Sequence, residues 1–84
     1  MEVKDKIIVI TGGGSGIGRA LAVRFHAEGA KKIIAVDINL GNAEGTAQMV
    51  GGTAMMADVA VEADIQRVIE DTESTVGPID LFCS

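Results

Sequence analysis

Short apolar runs alternate along the chain with segments in which apolar residues recur every three or four positions. Three of the runs, residues 7–10, 33–36 and 53–56, contain no charged residue, and the first two consist mostly of β-branched side chains. Such runs are typical of parallel strands covered on both faces. A fourth run, residues 79–83, predicts a fourth strand close to Ser84.

The segments between these runs have the periodicity of amphipathic helices. The first helix is expected to begin at Gly16 and end at Gly29, since glycine favours helix C-termini. The second should end at Gly51 and the third at Gly77, with Ala60 as the N-cap of the third. The predicted core faces are Ile17, Ala20, Leu21 and Phe25, then Leu40, Ala43, Ala47 and Val50, then Val61, Ile65, Val68, Ile69, Thr72 and Val76.

The resulting order, β1-α1-β2-α2-β3-α3-β4, requires a parallel sheet, because a helical crossover joins each pair of successive strands. Right-handed crossovers then predict an α/β fold, a Rossmann-like doubly wound parallel sheet with strand order 3-2-1-4. The first two helices are expected to cover one face of the sheet and the third helix the other. We expect this sheet to be truncated after its fourth strand, which leaves that strand as an open edge.

Composition and charge narrow the class of protein. Hydrophobic residues make up 48% of the chain and charged residues 23%, which is a globular composition. The net charge of −5 argues against nucleic-acid binding, because phosphate backbones are held by clustered Lys and Arg. No apolar run approaches the roughly 20 residues needed to span a membrane. Cys83 has no internal disulfide partner, so a reduced, cytoplasmic setting is expected.

The glycine-rich stretch at residues 11–18 carries the first chemical signal. It links the first strand to the first helix, and a helix start presents unpaired N–H groups and a positive dipole to an anion such as phosphate. A P-loop is excluded because Arg19 and Ala20 stand in place of its Lys and Ser/Thr. The G-x-G-x-x-G spacing fails as well, since Arg19 or Ile17 occupies the last glycine position. A flexible surface loop could carry the same glycines.

Two acids follow at the ends of later strands. Asp37 closes the second strand, 19 residues after Gly18. In dinucleotide-binding folds, a carboxylate at about that distance accepts hydrogen bonds from the adenosine ribose hydroxyls and repels a 2′-phosphate. Asp58, with Val59 beside it, follows the third strand at the same edge of the sheet. Each acid could instead simply cap a turn or a helix.

The chain resembles the nucleotide-binding start of the short-chain dehydrogenase/reductase family in three motifs, taken in register. They are Thr-Gly-x-x-x-Gly-x-Gly at residues 11–18, then Asp37, then Asp58-Val59. The resemblance implies that residues 1–84 are the N-terminal part of a single dinucleotide-binding domain. It also implies hydride transfer between a nicotinamide cofactor and a small hydroxyl or carbonyl substrate, with Asp58 and Val59 holding the adenine. NAD is expected rather than NADP, because neither Gly14 nor Ser15 is basic. The expected cofactor-binding residues are Thr11, Gly12, Ser15, Gly16, Ile17, Gly18, Asp37, Asp58 and Val59.

Groups that such an enzyme uses for proton transfer are missing from the sequence. The family's serine and Tyr-x-x-x-Lys lie later in its sequences, and this chain contains no tyrosine. We therefore expect a fragment with no catalytic residue, no metal site, no membrane partner and no oligomer interface of its own, unable to turn over a substrate. The alternative is a non-catalytic dinucleotide-binding module or redox sensor. The residues present leave the substrate and the oligomeric state open.

Overall fold

The computed structural model describes residues 2–84 and contains four strands and three helices within that range. The fourth strand begins later than predicted, because the Asp80 carboxylate, rather than a strand carbonyl, accepts the Ile7 amide at 2.8 Å. The other strands agree with the prediction to within one residue at each end. The elements are β1 (Ile7–Thr11), α1 (Gly16–Ala27), β2 (Lys32–Asp37), α2 (Leu40–Val50), β3 (Thr53–Met56), α3 (Glu62–Thr75) and β4 (Leu81–Cys83).

The sheet has the predicted topology. Its strands lie in the order β3-β2-β1-β4, and all three pairings are parallel. β1 and β2 are paired from Ile7 with Lys32 through Thr11 with Val36, so both strands end at the same edge. The segments that follow β1, β2 and β3 therefore lie side by side there. Ligands of open α/β sheets bind at this carboxyl edge, where the strand order reverses, and here it reverses between β1 and β4.

Two apolar layers hold the sheet between its helices. Successive side chains of a strand point to opposite faces, so each strand supplies both layers. Helices α1 and α2 cover one layer and α3 covers the other, as predicted from the sequence. The buried members of the first layer are Val3, Ile8, Ile10, Ala22, Ile33 and Val50, and those of the second are Ile7, Val9, Ile34, Val36, Ala57 and Val68.

Several helix residues predicted to be buried are exposed instead. The buried side of α1 centres on Ala22, whereas Ile17 and Ala20 face outward. Positions two or five residues from Ala22 point away from its side of a helix, so the predicted stripe is wrong at these two positions. Leu40 and Val61 are also exposed, because they lie at the N-terminal ends of α2 and α3.

Candidate functional site

The turn between β1 and α1 forms the first part of the site. Gly12 and Gly16 have φ values of +67° and +56°, a region that glycine adopts without strain. The Gly13 amide donates to the Val36 carbonyl at 2.9 Å, which fixes the turn on β2. Ser15 is the N-cap of α1, but its side chain makes no capping hydrogen bond. The amides of the first turn therefore keep their donor capacity for an anion.

Gly18 allows the first turn of α1 to lie directly against the preceding loop. A Cβ atom at this position would overlap the Gly12 carbonyl group and would lie 2.9 Å from the Gly13 Cα. This close approach holds the start of α1 over the end of β1. Gly18 thus sets the position of the helix start through packing.

Asp37, the last residue of β2, supplies a negative charge to the site. Its Oδ2 accepts a hydrogen bond from the Gly14 amide at 3.0 Å, and its Oδ1 accepts one from the Asn39 amide at 2.9 Å. The residue is half-buried, so its carboxylate still borders solvent. A carboxylate offers about four acceptor positions. The positions that these two amides leave open can accept hydroxyl groups of a ligand.

The loop after β3 presents Asp58 and Val59 at the same edge of the sheet. The Asp58 Oδ1 accepts the Ala60 amide at 2.9 Å and so closes a tight turn. The Asp58 amide donates to Asp64 Oδ2 at 2.9 Å, which ties the loop to the first turn of α3. Val59 is 60% exposed. Its side chain therefore offers apolar surface to a ligand rather than to the core.

A cleft of about 220 Å³ lies between the ends of β1, β2 and β3. It brings together four of the predicted site residues, Gly12, Asp37, Asp58 and Val59. The remaining predicted residues do not line it. Thr11 ends β1, and Ser15, Gly16, Ile17 and Gly18 form the start of α1.

Two residues that line the cleft, Ile38 and Ala57, are missing from the sequence prediction. Ile38 is 67% exposed although it directly follows the buried strand β2. A large apolar residue placed immediately after a strand-ending acid is the signal that could have identified it. Ala57 carries no comparable signal, because a small apolar residue after a strand is ordinary core.

Exposed apolar side chains concentrate at this edge of the molecule. Among the described residues, eight large apolar side chains are exposed, and six of them lie at strand carboxyl ends or helix N-termini. Ligand clefts are typically lined by apolar side chains with a few fixed polar groups. The distribution therefore suits a ligand with an apolar part. The six residues are Ile17, Ile38, Leu40, Met56, Val59 and Val61.

Thr11 has a contact that the sequence did not reveal. Its hydroxyl donates to the Cys83 carbonyl at 3.1 Å, which ties the end of β1 to β4. The Cys83 thiol is partly buried, and this burial raises its pKa. The thiol therefore stays protonated near neutral pH and is not an activated nucleophile.

Asp64 compensates for a missing helix cap. The N-cap of α3 is Val61 rather than the predicted Ala60, and neither side chain has an oxygen to accept an amide. Asp64 lies in the first turn, where a negative charge is favourable, and its carboxylate holds the Asp58 amide. The first turn of α3 is thereby joined to the Asp58–Val59 loop.

Replacing Asp64 with alanine is expected to lower the free energy of unfolding by about 1 kcal/mol, because the Asp58 amide loses its acceptor and α3 loses a favourable charge. Urea denaturation measures this loss, and hydrogen exchange at the Asp58 amide should become faster. Asp71→Ala, which removes an exposed carboxylate from the same helix, is the matched control. Equal stability of the two variants would contradict the assignment.

The described residues were also compared with the requirements of a metal site and of a membrane-spanning helix. Within residues 2–84, no three His, Cys, Asp or Glu side chains are grouped so that they could hold a metal ion. That range also has no helix with the length and apolar character required to cross a membrane.

A parallel sheet in the order 3-2-1-4, with a glycine-rich helix start and an acidic cleft at its carboxyl edge, defines a Rossmann-like protein. Within that class, the family model described as short chain dehydrogenase matches residues 6–84. The chain therefore belongs to the short-chain dehydrogenase/reductase family. The resemblance drawn from the sequence is confirmed, and the family is one of oxidoreductases.

Individual relatives agree with this assignment. Levodione reductase of Leifsonia aquatica is 41% identical over 93% of this chain and 32% of the enzyme. A short-chain dehydrogenase/reductase homolog of Bacillus subtilis is 35% identical over 98% of this chain and 80% of that protein. A crystal structure named as ribose-5-phosphate isomerase, from Brucella melitensis, has a TM-score of 0.89 and 33% identity over 99% of this chain and 33% of that one. The chain thus spans about a third of the reductase and of the crystallised protein.

Proposed function

We propose that this chain is the NAD(H)-binding portion of a short-chain dehydrogenase/reductase that acts on a hydroxyl or carbonyl group of a small molecule. The observation that carries the proposal is the cleft that sets Asp37 and Asp58 beside the glycine-rich turn. Anion-binding amides, a carboxylate and an apolar rim match the pyrophosphate, the ribose and the adenine of a dinucleotide. Family membership supports the same conclusion.

The pyrophosphate is assigned to the start of α1. Amides at Gly16, Ile17 and Gly18 belong to the first turn and have no partner inside the helix. The positive end of the helix dipole adds to their attraction for a phosphate. No side chain has to approach the phosphates, which is consistent with the lack of a lysine in the turn.

The adenosine half is assigned to the cleft. Asp37 accepts hydrogen bonds from the ribose hydroxyls, since its carboxylate has acceptor positions beyond those used by Gly14 and Asn39. Asp58 accepts the exocyclic amine of the adenine. The apolar side chains of Ile38 and Val59 lie exposed on the cleft wall, where they can cover the faces of the ring.

Selectivity for NAD over NADP follows from charge. The additional 2′-phosphate of NADP would lie against the Asp37 carboxylate, and like charges at that distance repel. Arg19 is the basic residue nearest the turn in sequence, and its guanidinium is engaged elsewhere. It donates to Thr46 Oγ1 at 2.9 Å and to the Asn42 carbonyl at 3.1 Å. No basic side chain in residues 12–18 neutralises a 2′-phosphate.

We expect the 84-residue chain to bind NAD without oxidising alcohols. When bound, NAD supplies the hydride-accepting nicotinamide. The alcohol proton needs a positioned acid–base group, and the sequence contains no tyrosine. The purified chain can be incubated with NAD and a panel of secondary alcohols while the absorbance of reduced nicotinamide is followed. Reduction faster than with heat-unfolded protein would contradict this expectation.

A second candidate function uses the same cleft. A non-catalytic dinucleotide-binding module or redox sensor would need the nucleotide site and no proton-transfer group, and the lack of tyrosine favours it if these residues act alone. A Tyr-x-x-x-Lys motif in the polypeptide that carries these residues would favour the dehydrogenase.

The cleft assignment is tested by following backbone amide resonances during titration with NAD. We expect the largest changes at Gly16, Ile17, Asp58 and Val59. The open groove of Glu44, Gln48 and Gly51, formed by α2 and β3, serves as an internal control and should not respond. Changes confined to that groove, or no changes at saturating NAD, would refute the assignment.

A further inference from the structure

Backbone amides from two different elements hold both oxygens of the Asp37 carboxylate. The Gly14 amide of the glycine-rich turn donates to Oδ2 at 3.0 Å, and the Asn39 amide at the start of α2 donates to Oδ1 at 2.9 Å. Gly14 is itself buried. One ligand-facing acid therefore joins the turn after β1 to the segment after β2.

The space around Gly14 has no room for a side chain. A Cβ atom there would lie 2.7 Å from Asp37 Oδ2, 2.7 Å from the Asn42 Cβ and 2.9 Å from the Ala43 amide nitrogen. Two of these three atoms belong to α2 and cannot move without moving the helix. Rotation of the Asp37 side chain relieves the contact with Oδ2, whereas the two contacts with α2 are relieved only if the turn moves away from that helix. Any residue larger than glycine at position 14 would therefore displace the carboxylate, the turn or both, and would break the bond from the Gly14 amide to Asp37.

We propose that Gly14 is a specificity-determining position, whose amide fixes the Asp37 carboxylate against the 2′ position of the adenosine ribose. The inference deepens the proposed function and rests on it. An acid that is free to rotate could swing into solvent and let a 2′-phosphate enter. An acid held by two amides keeps its charge in place, and its remaining acceptor positions stay aimed at the ribose.

The test is a double-mutant cycle of Gly14→Ala and Asp37→Ala, with the ratio of the NADP and NAD dissociation constants as the readout. Gly14→Ala alone should lower the ratio by about tenfold, the effect expected from one hydrogen bond to a charged group. In the Asp37→Ala background the same change should leave the ratio unaltered. Gly41→Ala is the matched control, because a Cβ there meets only Asn39 Oδ1, at 3.4 Å. It should leave the ratio at its original value.

An unchanged ratio in Gly14→Ala, or an equal change in both backgrounds, would overturn the role of Gly14 while leaving NAD binding intact. An original chain that binds neither cofactor would overturn the proposed function itself. Should Gly14→Ala fail to fold, hydrogen exchange decides the question without it. The Gly14 amide should exchange at least about tenfold faster in Asp37→Ala than in the original chain, and equal rates would overturn the inference.

Discussion

Replacing Gly18 with valine is expected to destabilise the chain by about 3 kcal/mol and to abolish NAD binding. The new side chain would overlap the Gly12 carbonyl, so the turn and the helix start cannot both keep their positions. Overpacking of this kind typically costs about 1–3 kcal/mol. Glycine-to-valine changes inside helices gain only a few tenths of a kcal/mol, roughly, in helix propensity. The steric cost therefore exceeds the gain in helix propensity, and the net change in the free energy of unfolding is a loss.

Urea denaturation followed by circular dichroism measures the stability of the Gly18→Val variant, and isothermal titration calorimetry measures its NAD affinity. The control is Gly41→Ala, another helix glycine, which meets no backbone atom. It should be neutral, or stabilising by up to about 1 kcal/mol, because alanine favours the helix. A Gly18→Val variant as stable as this control would show that the packing of α1 on the turn has been misassigned.

Replacing Asp37 with alanine is expected to reverse or abolish the preference for NAD over NADP. NAD should bind about tenfold or more weakly, because the ribose loses a charged acceptor. NADP should bind more tightly, because the carboxylate no longer repels the 2′-phosphate. The free energy of unfolding should fall by less than in Gly18→Val, since Asp37 is only half-buried and the Asn39 amide, at an exposed position, can bind water instead.

The affinities of both cofactors can be compared by calorimetry for the original chain, Asp37→Ala and Asp71→Ala. The Asp71 variant changes the net charge equally, but Asp71 lies on α3 outside the cleft. Its preference for NAD should match that of the original chain. An Asp37→Ala variant with the original preference would mean that this carboxylate does not face the ribose.

Most of the architecture follows from the sequence because local signals agree with one another. The apolar runs at residues 7–10 and 33–36 can be buried on both faces only in a parallel sheet, and the helical segments between strands supply the crossovers. Glycine in the sequence marks the predicted end of each helix, and Gly29, Gly51 and Gly77 indeed have positive φ there. The strand order then follows from the handedness of the crossovers.

Details of the site depend on contacts between distant residues and could not be predicted in this way. The bond from Gly14 to Asp37 joins positions 23 residues apart and exists only once β1 and β2 are paired. The outward orientation of Ile17 depends on how α1 is rotated on the sheet, which its two-sided apolar pattern does not fix. In the sequence, Asp64 cannot be distinguished from any other acid in the first turn of a helix. Its hydrogen bond from the Asp58 amide exists only in the folded chain.

The separation of cofactor binding from chemistry also follows from the residues present. The cleft collects groups suited to the adenosine half, and the start of α1 offers amides suited to the pyrophosphate, whereas the sequence has no tyrosine for proton transfer. Binding and turnover are therefore expected to be separable in this chain.

The most direct test of the NAD-binding assignment is calorimetric titration of the unaltered 84-residue chain with NAD and, separately, with NADP. We predict saturable binding of one NAD per chain, with NADP weaker by about tenfold or more, as expected for repulsion between the 2′-phosphate and the half-buried Asp37 carboxylate. Absence of NAD binding by folded protein, or equal affinity for the two cofactors, would contradict the assignment.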